Sequence, residues 1–286
     1  MSTGRIHVGD ADLAFIEQGA GAPFILIHGT LDDLRTWSYQ MAPLAAHHRV
    51  VAYSRRYHWP NAVPPAPTPY RAADHRDDLA ALIESFDAAP AHLVAASYGA
   101  VIALLLASAR PDLVRSLVLG EPPAFNLLDP ARMEANQRET IVPARRAFDE
   151  GRPEAGIESF LNAVVGPDAF SRFPPKAKAA ALDNAAEFGL EVHSTYDEYF
   201  GALAVSDLDA IEAPALVARG ERSPRIFGDV IAVLRAHLND PRNVDIPGAS
   251  HAMHRHNAPA YNAAVLEFLA GVDGGDGGNE GSAEAK

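Results

Sequence analysis

Leu93-Val94-Ala95-Ala96-Ser97-Tyr98-Gly99-Ala100 sets one serine between two apolar runs. His92 to Ala96 reads as a buried strand and Tyr98 to Arg110 as an apolar helix. A strand that turns directly into a helix strains its backbone and leaves little room, so the turn needs small neighbours. Ala95 at −2 and Gly99 at +2 supply them. The plain alternative is a serine that only caps the helix, a position serine favours.

The flanking segments repeat this alternation. Pro23-Phe-Ile-Leu-Ile-His28-Gly29-Thr30 is a continuous apolar run closed by glycine, as expected of a parallel strand covered on both faces. Val50–Tyr53 is the next buried strand, Ser116–Gly120, Pro214–Gly220 and Asn243–Pro247 read as further strands, and two short strands, Arg5–Gly9 and Asp12–Gln18, open the chain. Helices are expected over Arg35–His47, from Asp77 onward, over Pro224–Leu238 and after Asn257-Ala-Pro. Leu79, Leu82, Ile83 and Phe86 fall at i, i+3, i+4 and i+7, as do similar residues around Tyr261 and Phe268. The order implies an α/β fold with a mostly parallel sheet, right-handed crossovers and helices on both faces.

Residues 122–205 break the rhythm and read as helical pieces alone: Pro130–Glu150, Pro153–Val164, Pro175–Phe188 and Ser194–Leu203. They are predicted to form a cap over the carboxyl ends of the strands, where such sheets bind ligands. The core is then 1–121 with 206–270. Residues 271–286 hold six glycines in sixteen positions and are expected to be a disordered tail. Five prolines between 60 and 69 predict a stiff surface loop.

The 286 residues carry 24 basic and 37 acidic side chains, a net charge of −13, and no cysteine. Cysteine nucleophiles, thiolate metal sites and disulfide scaffolds are therefore excluded. The acidic balance argues against a nucleic-acid surface. The N-terminus shows no apolar signal region and no run can span a bilayer, so a cytoplasmic protein without membrane partners is expected. The oligomeric state cannot be read from the chain.

The Ser97 turn resembles the Gly-x-Ser-x-Gly nucleophile elbow of the α/β-hydrolase family, with alanine in place of the first glycine. The resemblance covers the chain except its tail and implies an eight-stranded sheet with an inserted helical cap. It implies that the backbone N–H groups of Thr30 and Tyr98 form an oxyanion hole, with His28 bracing the loop. It places the general base at His251, in Ile246-Pro-Gly-Ala-Ser-His251, ahead of its neighbours His254 and His256. Three histidines here lack an acidic partner motif for a metal, and no cofactor is called for.

Most family members carry the orienting acid after the seventh strand, but Gly220-Glu221-Arg222-Ser223 has serine at that position. Glu121, directly after the sixth strand, is assigned instead, as in certain dehalogenases and zearalenone-type lactonases. Glu221 is the alternative. A second departure is Ser54 where many relatives have aspartate; Arg56 matches the arginine that follows, which is normally structural.

The resemblance then implies an esterase- or lactonase-like hydrolase acting through an acyl-enzyme on Ser97. Its substrate would be a small, largely apolar ester, lactone, thioester or cleavable carbon–carbon bond. Serine rather than aspartate argues against epoxide hydrolases and haloalkane dehalogenases. Phe125, Leu127, Leu128, Tyr196, Tyr199 and Phe200 are candidates to line the pocket, or else plain packing of cap on core; Trp59 and His58 could reach it. A non-hydrolytic member of the same fold, such as a lyase, cyclase or ligand receptor, is the competing reading.

Overall fold

The computed structural model describes residues 1–64 and 68–276. Eight strands form one sheet: β1 (Ser2–Val8), β2 (Ala11–Gln18), β3 (Pro23–Ile27), β4 (Arg49–Tyr53), β5 (Ala91–Ala96), β6 (Val114–Gly120), β7 (Ala215–Gly220) and β8 (Arg242–Ile246). Their order is β1-β2-β4-β3-β5-β6-β7-β8. The β1–β2 and β2–β4 pairs are antiparallel; every other pair is parallel. The fold is thus the expected mostly parallel α/β sheet. The chain goes outward from β3 to β4 and then returns to β5 on its other side. That reversal opens a crevice at the carboxyl ends of β3 and β5, where Thr30 and Ser97 lie.

The inner strands carry no polar alternation because both faces are covered: all six residues of β5 are buried. One apolar layer packs Leu79 and Leu82 with Val101 and Leu105 under one face. The other sets Trp37 and Leu44 with Tyr261, Phe268 and Leu269. Burial of this apolar surface is the dominant favourable term in folding.

Several expected helices are split. Arg35–His47 is a 3₁₀ segment, Leu34–Tyr39, followed by a short helix, Met41–Ala45. Between β6 and β7 the chain forms helices Pro130–Glu139, Ile141–Asp149, Pro153–Val165, Ala169–Arg172, Pro175–Asp183, Ala185–His193 and Tyr196–Phe200. The breaks at Thr140 and Asn184 turn what read as single helices into pairs. These helices have a small apolar centre of their own, built on Ile157, Phe160, Phe170 and Phe188, which Leu31 of the β3 loop joins.

The first residues of the expected tail, 271–276, are helical. The last helix runs Ala258–Asp276. Val272 packs on the core and Asp273 pairs with Arg115, so side-chain anchoring outweighs the low helix propensity of the glycines. Residues 277–286, and positions 65–67 of the proline-rich loop, lie outside the described residues. Among the described residues no helix is long and apolar enough to cross a membrane.

Candidate active site

Ser97 stands at the end of β5 with φ of 51°, a left-handed conformation that non-glycine residues adopt at a cost of roughly 1–3 kcal/mol. The surroundings enforce it. The helix Tyr98–Ala109 starts at the next residue, and Gly99 lies hard against the β3 loop. A Cβ on Gly99 would come within 2.5 Å of both the Ile27 and His28 carbonyl oxygens, and one on Gly29 within 2.8 Å of the Ser97 Cβ. The two loops therefore touch through glycines.

Gly99→Ala gives a test of sign. Helix propensity alone would make it stabilising by about 1 kcal/mol. The clash with two backbone oxygens should instead lower Tm, and displacement of the Thr30 loop should cost about 10²-fold in kcat/KM. Thermal unfolding and an ester assay on the purified variant check both; wild-type values would contradict the tight fit.

Three side chains from separate strand ends form one continuous chain of contacts. His251 Nε2 lies 2.9 Å from Ser97 Oγ, and His251 Nδ1 lies 2.7 Å from Glu121 Oε2. Glu121 is fully buried, with a left-handed φ of 45° directly after β6. Its second oxygen, Oε1, accepts the Gly220 N–H from the end of β7 at 2.7 Å. A carboxylate that accepts at Nδ1 puts the imidazole proton on that nitrogen and leaves the Nε2 lone pair facing the serine hydroxyl. Glu221 points elsewhere: it is exposed, and its Oε2 accepts the Gly248 N–H at 2.7 Å.

Arg55 braces the β3 loop from below. It is buried, and it donates through Nε to His28 O at 3.1 Å and through Nη2 to Gly29 O at 3.1 Å. In a trans peptide the C=O and the following N–H point in opposite directions. Anchoring Gly29 O on Arg55 thus turns the Thr30 N–H away from Arg55. The Tyr98 N–H is at the first position of its helix, where backbone donors have no intrahelical partner. His28 donates from Nδ1 to Gly29 O and accepts the Arg55 N–H at Nε2. Accepting at Nε2 requires the neutral ring, and burial, then the neighbouring His58 and the Arg55 charge, hold its pKa well below the usual value.

A model of the alpha/beta hydrolase fold family matches residues 22–257. The chain belongs to the α/β-hydrolase family. This α/β-hydrolase is 25% identical over 275 residues to 2-(acetamidomethylene)succinate hydrolase of Mesorhizobium japonicum, covering 93% of this chain and 94% of the relative. A hydrolase from Pseudomonas aeruginosa PA01 superposes with a TM-score of 0.73 at 25% identity, over 93% of this chain and 98% of that one. The enol-lactonase from Burkholderia xenovorans LB400 superposes with a TM-score of 0.75 at 21% identity, over 93% and 99% of the two chains, which shows a shared fold.

In this α/β-hydrolase a cavity of about 180 Å³ separates Ser97 from the helices inserted between β6 and β7. Thr30, Phe125, Tyr196, Tyr199 and Phe200 line it with Ser97. Leu127 and Leu128 do not; both pack against the core beneath, because the 3₁₀ turn Phe125–Leu127 directs them inward. Tyr98 and Tyr199 stack at 4.3 Å, and the Tyr98 hydroxyl donates to Tyr199 O.

Trp59 is at the surface under the Arg35 guanidinium, and His58 is buried beneath the helix Ala185–His193. Arg56 pairs with Asp78 through two hydrogen bonds. The three neighbouring histidines part company: His254 Nε2 meets Thr36 Oγ1, and His256 Nδ1 accepts the Ser250 N–H.

One residue escaped the sequence reading. Phe227 stacks on the His251 ring at 4.4 Å and 19°, and it lines the cavity. Its helix presents Phe227, Val230, Ile231 and Leu234 as one buried stripe, so in sequence it is indistinguishable from core.

Proposed function

We propose that this chain is a serine hydrolase that cleaves an ester, lactone or related acyl bond of a small substrate through an acyl-enzyme on Ser97. The observation that carries the reading is the unbroken Glu121–His251–Ser97 contact chain, at 2.7 and 2.9 Å. Ser97 Oγ attacks the carbonyl carbon while its proton passes to His251 Nε2. Glu121 holds the ring orientation and stabilises the imidazolium. The oxyanion accepts from the Thr30 and Tyr98 N–H groups, the kind of preorganised donors whose individual loss typically costs about 10²–10³-fold in rate. The intermediate collapses, and His251 returns the proton to the leaving group. A water then attacks the acyl-enzyme, giving its proton to His251; the acid product leaves and Ser97 regains its hydrogen.

Residues 122–205 act in this reading as a lid that shapes the substrate, with Phe125, Tyr196 and Tyr199 as apolar contacts. Phe227 keeps the imidazole plane in place between Ser97 and Glu121. The test is a fluorophosphonate probe on the purified protein. Labelling at Ser97 is expected, together with turnover of members of an ester and lactone panel. No labelling, or labelling that persists in Ser97→Ala, would overturn the hydrolase reading in favour of a non-hydrolytic use of the fold.

A further inference from the structure

One wall of the cavity carries an acid that the steps above leave unused. Glu191, on the cap helix Ala185–His193, lines the cavity and is only 2% exposed. Its Oε1 accepts the Thr30 hydroxyl at 2.8 Å, which places the carboxyl beside the Thr30 N–H. Its Oε2 is buried and has no hydrogen-bond partner among the described residues. A buried polar atom left unpaired is expensive, on the order of 1–3 kcal/mol, and invites a ligand atom.

Among the described residues no lysine or arginine bonds the Glu191 carboxyl; Arg145 lines the same cavity and donates from Nε to Val192 O. One turn earlier on the same helix stands Glu187, fully buried. The Tyr199 side chain reaches Glu191 and Thr30 from the next helix, and Tyr98 and Tyr70 face the cluster from the core. Arg55 is the buried guanidinium nearby, yet it donates to His28 O, Gly29 O and the Tyr70 hydroxyl, with His75 Nδ1 at 3.3 Å.

His58 does not charge the cluster either. Its Nδ1 lies 2.8 Å from Asp32 O and its Nε2 2.9 Å from Glu187 Oε1, and burial, then the Arg55 charge, holds its pKa well below the usual value. Two carboxyls a helical turn apart, both out of water, cannot both ionise beside one committed guanidinium. Burial raises both pKa values above the usual carboxylate range, and for Glu191 the neighbouring Glu187 raises it further.

We propose that Glu191 is a specificity-determining residue: a bound substrate draws Oε2 of the neutral carboxylic acid out of its buried position to donate into the cavity, which selects acyl substrates carrying a second oxygen acceptor a few bonds from the scissile carbonyl. The inference rests on the hydrolase reading above and names its substrate class. A substrate oxygen there satisfies Oε2, whereas a methylene leaves it unpaired. At alkaline pH the group ionises, loses the donor and places a negative charge next to the developing oxyanion.

The matched probes are p-nitrophenyl methoxyacetate and p-nitrophenyl butyrate, which differ by one ether oxygen in place of a methylene. The readout is the ratio of their kcat/KM values, divided by the ratio of their hydroxide-catalysed rates. At pH 7 wild type and Glu191→Gln, whose amide still donates, should favour the ether by roughly five- to tenfold. Glu191→Leu should bring the ratio to about one. Between pH 7 and 10 the preference should fall in wild type and persist in Glu191→Gln. A carboxylic-acid infrared band lost in Glu191→Gln at pH 7 reads the protonation without any turnover.

Equal ratios in wild type and Glu191→Leu, a Glu191→Gln ratio that matches Glu191→Leu, or no such band would overturn the proposal while butyrate turnover and Ser97 labelling leave the hydrolase reading standing. Absence of both turnover and labelling would instead sink the hydrolase reading and this substrate class with it.

Discussion

Ser97→Ala should lower kcat on any turned-over ester by on the order of 10⁶-fold. The reason lies in how the site is divided. His251 has one lone pair, at Nε2, and Ser97 Oγ is the group it faces at 2.9 Å. Removing that oxygen removes both the nucleophile and the only proton that His251 is oriented to accept. What stays is the Thr30 and Tyr98 N–H pair and the cavity, which should leave roughly 10³–10⁴-fold acceleration over water. Steady-state kinetics with long incubations, on a variant whose circular dichroism matches wild type, measure the drop. A loss below about tenfold would mean that the acyl-enzyme does not form on this serine.

Glu121→Gln should lower kcat by about 10⁴-fold, although the shapes are nearly the same. The Gly220 N–H donates to one carboxyl oxygen at 2.7 Å, so the amide oxygen of glutamine takes that side. Its NH₂ then faces His251 Nδ1, where the carboxylate had accepted. A donor at that place obliges Nδ1 to accept and moves the imidazole proton to Nε2. The ring then offers Ser97 an N–H and cannot take its proton. Glu221→Gln should change kcat by less than about twofold, as ordinary surface substitutions do. Its side chain is exposed and bonds Gly248 N–H, which an amide oxygen can keep. Kinetics of the two variants side by side decide the matter; the opposite order would identify Glu221 as the working acid.

Both arguments start from features legible in the chain. The Ser97 turn, the His28-Gly-Thr30 loop and the strand end before Glu121 can be read because each follows a buried apolar run, the signature of a doubly covered strand. The strand before His251, Arg-Asn-Val-Asp-Ile, is largely exposed and lacks that signature, so His251 is legible only by resemblance. Gly99 is legible as the small neighbour that the Ser97 turn needs, whereas the approach of Gly29 to the Ser97 Cβ is set by the tertiary fold. Helix boundaries between β6 and β7 are less legible. The breaks at Thr140 and Asn184 fall within helical composition; Asn184 is spent on tertiary bonds, to Asp33 and to the Trp59 N–H, that composition does not encode.

Order, strand type and the chemistry of single residues are local or periodic properties, so they follow from the one-dimensional pattern: an α/β sheet, a helical insertion, a serine at a strained turn, no thiol. Distances between residues remote in the chain are not. Ser97 and Glu121 meet His251 across 154 and 130 positions because β5, β6 and the loop after β8 end at the same edge of the sheet. The same holds for Phe227 over the imidazole, for Leu128 turned into the core, and for Glu191 against Thr30. An apolar stripe and an acid on a helix have many possible neighbours in sequence, and packing at close to crystal density selects one of them.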